Sequence, residues 1–126
     1  DDRASEFPRV HPDLEGQETQ FGYALGVGRD VNALDFNQIL KYHRGNDHVA
    51  VHQLAPAKMA SEPVFVPKND AKAEDEGYLM SYVFDQDKNT SELIVLDAQN
   101  VAAEPIACIE LPQRVPFGFH GSWVPG

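Results

Sequence analysis

The strongest constraint on this chain is a rhythm of short runs rich in Val, Ile, Leu, Tyr and Phe, each cut off by Gly, Pro, Asn or Asp. Runs of this composition and length read as β-strands. They fall at residues 20–27, 36–42, 48–54, 63–66, 77–84, 92–96 and 106–111. Residues 48–54 alternate most cleanly, with Val49, Val51 and Leu54 set against His48, Ala50 and His52. Arg44-Gly45-Asn46-Asp47 and Asp85-Gln86-Asp87-Lys88-Asn89 have the residues that accept turn geometry. No long segment keeps a helical period; short helical turns are expected at most within 55–60 and 69–76. The expected fold is therefore all-β, an antiparallel meander. A sandwich, a barrel and propeller blades all suit such a strand count. As blades of ~40–50 residues, the 126 residues make about two or three, whereas a closed propeller takes about four to eight.

Charge narrows the partners. Ten Lys and Arg stand against twenty Asp and Glu, a formal charge of −10. A surface that tracks phosphates needs the opposite sign, so nucleic acid is set aside. Anionic membrane surfaces are disfavoured for the same reason. No apolar run reaches the ~18 residues of a spanning helix. The first residues, Asp-Asp-Arg-Ala-Ser-Glu-Phe, contain no Met and no charged-then-apolar leader. The expectation is a trimmed chain or a piece of a longer one, and a cytoplasmic location. The single Cys108 excludes an intrachain disulfide and a cysteine-based zinc site. Within the run 106–111 it is expected to pack as a small buried hydrophobe.

There are five histidines, at 11, 43, 48, 52 and 120, with no HExxH and no Cys/His cluster. His48 and His52 share one strand face and are expected at the surface. His43 beside a turn and His11 in a Pro-containing loop are expected in solvent. His120 stands apart, in Val115-Pro116-Phe117-Gly118-Phe119-His120-Gly121-Ser122-Trp123. Glycines allow close backbone approach. Aromatic walls favour the neutral imidazole that a metal requires. From these residues alone, a satisfied core histidine and a metal ligand both stay open. Glu6, in Glu6-Phe7-Pro8, and Glu62, in Ser61-Glu62-Pro63-Val64-Phe65-Val66, each adjoin an apolar extended segment. A buried carboxylate there would want a donor, and an imidazole N–H is one; an exposed Glu at a strand start is the plainer alternative. Glu74-Asp75-Glu76 reads as a solvated turn.

Four motifs occur together in order: Ser61-Glu62-Pro63-Val64-Phe65-Val66-Pro67, Glu74-Asp75-Glu76-Gly77-Tyr78-Leu79-Met80-Ser81, Leu93-Ile94-Val95-Leu96-Asp97-Ala98 and Pro116-Phe117-Gly118-Phe119-His120-Gly121. Glu6-Phe7-Pro8-Arg9 and Gly22-Tyr23-Ala24 add to them. The whole chain resembles the C-terminal quarter or so of the carotenoid oxygenases. That family includes carotenoid and apocarotenoid cleavage dioxygenases, lignostilbene dioxygenases and the retinal-pigment-epithelium retinoid isomerase. The resemblance implies a seven-bladed β-propeller, of which this chain would form two to three blades. It implies Fe(II) on the propeller axis, held by four histidines, three of them steadied by glutamates. His120 would be the last of those ligands, Glu62 the glutamate that holds it, and Glu6 the glutamate that holds a ligand outside this chain. His11, His43, His48 and His52 fall in none of the ligand motifs. The implied reaction is cleavage of a conjugated C=C bond by O2 in an apolar carotenoid, apocarotenoid or stilbene substrate. The remainder of the propeller would be needed, and membrane association is undetermined. The alternative is a free-standing, non-catalytic β-module with a binding or structural role.

Overall fold

The computed structural model describes residues 19–27, 36–45 and 48–112, together with the strand geometry of 5–9. The described residues hold nine strands and no helix: β1 (Ser5–Arg9), β2 (Phe21–Gly26), β3 (Gln38–His43), β4 (His48–Gln53), β5 (Lys58–Ala60), β6 (Val64–Pro67), β7 (Gly77–Asp85), β8 (Thr90–Asp97) and β9 (Ala107–Glu110). All pairings are antiparallel. One sheet runs β1-β2-β3-β4 and the other β5-β7-β8-β9, with β6 continuing the β5 edge along β7. The chain is all-β, an antiparallel meander in two sheets, and each of the seven expected runs contains a strand. No helix among the described residues is long and apolar enough to cross a membrane.

The alternation expected of a half-buried strand is clearest in β7, where Gly77, Leu79, Ser81 and Val83 are buried. Ile94 and Leu96 of β8 share that buried face through their pairing with Ser81 and Leu79. From the first sheet, Tyr23, Leu25 and Ile39 join the same core cluster. The Tyr23 and Phe65 rings stack across the sheets at 5.4 Å. Full burial of each large side chain stabilises the fold by about 1.5–3 kcal/mol.

Two strands escaped the sequence pattern. β1 contains Pro8, which demotes a run. β5 spans three residues after a turn in which Lys58 N donates to Ala55 O and Ala57 has a φ of 70°. Neither segment 55–60 nor 69–76 is helical; the second is a pair of turns closed by Ala71 N to Lys68 O and Glu76 N to Ala73 O. The β7–β8 hairpin forms at the expected turn. There Asp85 Oδ1 accepts from Asp87 N and Lys88 N, and Asn89 takes a left-handed φ of 53°. Cys108 is exposed, contrary to expectation. Its strand is the outermost of the sheet, and the core lies over β7 and β8.

Gly77 faces Pro67 across the β6–β7 ladder. A Cβ there would meet the Val66 carbonyl oxygen and come within 2.6 Å of Phe65 Cζ. A paired strand carbonyl has little room to retreat. Gly77→Ala is expected to destabilise the protein by about 2 kcal/mol, seen as a lower thermal midpoint. An unchanged midpoint would show that β6 can shift.

Candidate functional site: two glutamates on the leading edges of adjoining sheets

Each sheet begins with an edge strand that carries one of the candidate glutamates or leads into it. Glu6 lies in β1 opposite Leu25, and the register of β1 on β2 shifts by one residue between Glu6 and Arg9. Glu62 lies between β5 and β6. Ala60 pairs with Val83 and Val64 with Met80, so residues 61–63 face only Ser81 and Tyr82. One extra residue against two is a β-bulge, a device that bends a strand and re-aims a side chain. Both bulges contain a proline, Pro8 and Pro63. Proline is tolerated there because a bulge leaves a ladder N–H unneeded.

Glu62 is 6% exposed and Pro63 is buried beside it. A regular strand sends successive side chains to opposite faces; the bulge lets both lie inside. The buried-carboxylate reading of Glu62 thus prevails over an exposed strand start. For Glu6 the described geometry is its backbone register. His120 lies outside the described residues, as does His11. Among the described residues, no group of three or more His, Cys, Asp or Glu side chains converges to hold a metal ion.

The other histidines divide. His48 is exposed, as expected. His43 stacks on Phe21 at 4.7 Å. His52 corrects the surface-pair expectation: it is 9% exposed, with Nδ1 2.8 Å from the Val101 carbonyl oxygen. Both histidines project from one face of β4, but Val101, in the turn that follows β8, meets His52.

Sequence reading missed a polar clamp between the sheets. Lys41 is 8% exposed in β3. Its ammonium donates to Asp75 Oδ2 and to Ala98 O, both at 2.7 Å, and sits 4.4 Å from the Phe21 ring centroid. Glu74 accepts from the backbone N–H groups of Gln20 and Phe21. The expected solvated turn at 74–76 is therefore the fastening of one sheet to the other. Burial raises the Asp75 pKa, but the hydrogen bond and charge of Lys41, with the Gln99 amide, outweigh that and hold it below the ordinary 3.8. Burial, then the charges of Asp75 and Glu74, push the Tyr23 phenol above its ordinary range. A usable signal was present: a lysine in the apolar run Ile39-Leu40-Lys41-Tyr42 has to find an anion if the strand is buried.

Comparisons with known proteins agree with this architecture. The family model described as retinal pigment epithelial membrane protein matches residues 1–125. The chain is 40% identical over 129 residues to a carotenoid cleavage oxygenase of Mycobacterium tuberculosis, covering 99% of this chain and 25% of that relative. It is 35% identical over 121 residues to the apocarotenoid-15,15'-oxygenase of Synechocystis, covering 96% of this chain and 25% of that relative. The solved structure of cobalt-substituted Synechocystis ACO superposes with a TM-score of 0.91 at 34% identity, over 97% of this chain and 26% of that one. The chain thus spans about a quarter of the length of these relatives. By sequence over nearly its whole length and by the pairing of its sheets, it belongs to the retinal pigment epithelial membrane protein family, which the carotenoid cleavage oxygenases share.

Proposed function

We propose that this chain is the C-terminal part of an Fe(II)-dependent dioxygenase that cleaves a conjugated C=C bond of a carotenoid, apocarotenoid or stilbene. The observation that carries this reading is the burial of Glu62 at a bulge on the leading edge of its sheet. A carboxylate there fits the task of holding an imidazole N–H, which orients a metal-bound ring. In this reading His120 is the ligand, Glu62 fixes its tautomer and direction, and Glu6 does the same for a histidine elsewhere in the polypeptide. In this reading iron would lie on the propeller axis, and the β1 and β5–β6 edges would face it. Iron, when bound, supplies the chemistry by which O2 splits the alkene into two carbonyl products. This chain's own residues position a ring and keep a carboxylate out of water. Phe117, Phe119 and Trp123 flank His120 in the sequence, a composition that favours a neutral imidazole.

The test is iron content per chain after anaerobic purification with Fe(II), on the intact protein and on residues 1–126 alone. Stoichiometric iron in the first and near-zero iron in the second is the expected pair of results. Near-zero iron in both would leave the non-catalytic β-module. In the intact protein, Glu62→Gln is expected to weaken iron binding by about 10–100-fold. An unchanged affinity would make Glu62 a structural residue.

A further inference from the structure

We infer that Ser61 and Ser81 are positioning residues for the metal site, acting through Glu62; the inference rests on the function proposed above. The bulge at 61–63 breaks the regular exchange of hydrogen bonds between the leading edge and β7. Two serine hydroxyls repair it. Ser61 N donates to Tyr82 O at 2.8 Å, which continues the ladder from β5. Tyr82 N then donates to the Ser61 hydroxyl at 3.1 Å, a side chain standing in for a strand carbonyl. The Ser81 hydroxyl donates to Ser61 O at 2.8 Å, standing in for a strand N–H, with Tyr82 O 3.2 Å away. Ser81 is 3% exposed, so an unmet group at this point would be costly.

The consequence falls on the next residue. Ser61 has its N–H, its carbonyl and its hydroxyl all held by β7. Pro63 has a fixed φ and no N–H. Glu62 is strung between these two anchored neighbours, so its Cα–Cβ direction is set by the bulge. A glutamate that must orient a ring tolerates little angular play, because supporting groups hold a site to within about 0.5 Å.

The test uses the intact protein and Fe(II) affinity, with the absorption bands of the Co(II)-substituted form as a second readout. Ser61→Ala and Ser81→Ala are each expected to weaken metal binding about tenfold, the lower end of the range for supporting groups, and to shift the Co(II) bands. Ser61→Thr keeps the hydroxyl and is expected to restore both. In a Glu62→Gln background, the same alanine variants are expected to cost no further affinity, because the route runs through Glu62. If Ser81→Ala fails to fold, the half-buried Ser61 pair of variants decides. Unchanged affinity and bands in Ser61→Ala, or losses that add fully to that of Glu62→Gln, would overturn the inference. An intact protein that binds no iron, or a Glu62→Gln variant with wild-type affinity, would overturn the underlying function as well.

Discussion

Replacing His120 by alanine in the intact protein is expected to abolish iron retention. The variant should emerge from gel filtration with almost no metal, while the wild type keeps about one iron per chain. In the proposed site His120 is the ligand, and the buried Glu62 holds it. In the proposed site, removing the imidazole would take away one metal ligand. It also takes from Glu62, a carboxylate that is 6% exposed, the imidazole it is proposed to hold. A buried carboxylate that loses one of its donors is costly to keep charged. The two effects act together, so the loss should exceed the roughly 10–100-fold expected when a supporting group alone is changed. Full iron occupancy in His120→Ala would end the ligand assignment. The circular dichroism of the variant should remain that of a β-protein, since β1 to β9 pair without residue 120.

Lys41→Met is expected to produce the largest loss of stability. The substitution keeps the apolar stem and removes the ammonium that reaches Asp75 Oδ2 and the Ala98 carbonyl, both at 2.7 Å. Asp75, with a side chain 16% exposed, is left with the Gln99 amide at 3.3 Å. Breaking a buried pair from one side costs about 3 kcal/mol, which corresponds to a fall in thermal midpoint of several degrees. A second change, Asp75→Leu, should recover much of the loss, because an apolar replacement of both partners is close to neutral. The pH dependence follows from the direction of the Asp75 shift. Its folded pKa lies below the ordinary 3.8, so the contribution is fully present above that value. It is lost as pH falls through the lower folded value. Wild type and Lys41→Met should therefore differ near neutrality and converge in strong acid. A Lys41→Met protein that melts with the wild type at neutral pH would show that the sheets are held by apolar packing alone.

The strands were legible wherever a run was long enough to show its period. β7 is clear because it alternates over eight residues against a single buried face, and β8 because its apolar run at 93–96 pairs along that strand. β5 was hidden because three residues carry no period, and β1 because proline masks a strand whose bulge accommodates it. Cys108 misled for a related reason. Its neighbours Ala107 and Ile109 have strand character, but a strand at a sheet edge can be β-forming and still exposed.

The candidate site divides along the same line. Glu62 could be singled out because a carboxylate set against proline and β-branched residues is unusual. Its burial, and the single extra residue that turns it inward, depend on how β5 and β6 share β7 as a partner. The role of His52 was equally invisible, since His48 and His52 are alike in pattern and differ only in what the second sheet lays over them.

Local pattern alone determined the all-β class, the turns and the segments able to pair, because hydrogen-bonded strands and turns are specified by neighbours a few residues apart. The four motifs in order were enough to point to the family. Which charges are buried, that Lys41 and Glu74–Asp75 fasten the sheets, and that two serines anchor the bulge beside Glu62 were decided only by the tertiary structure. These contacts join residues 20 to 57 positions apart, and such pairings depend on the register of packed sheets, which no single segment encodes.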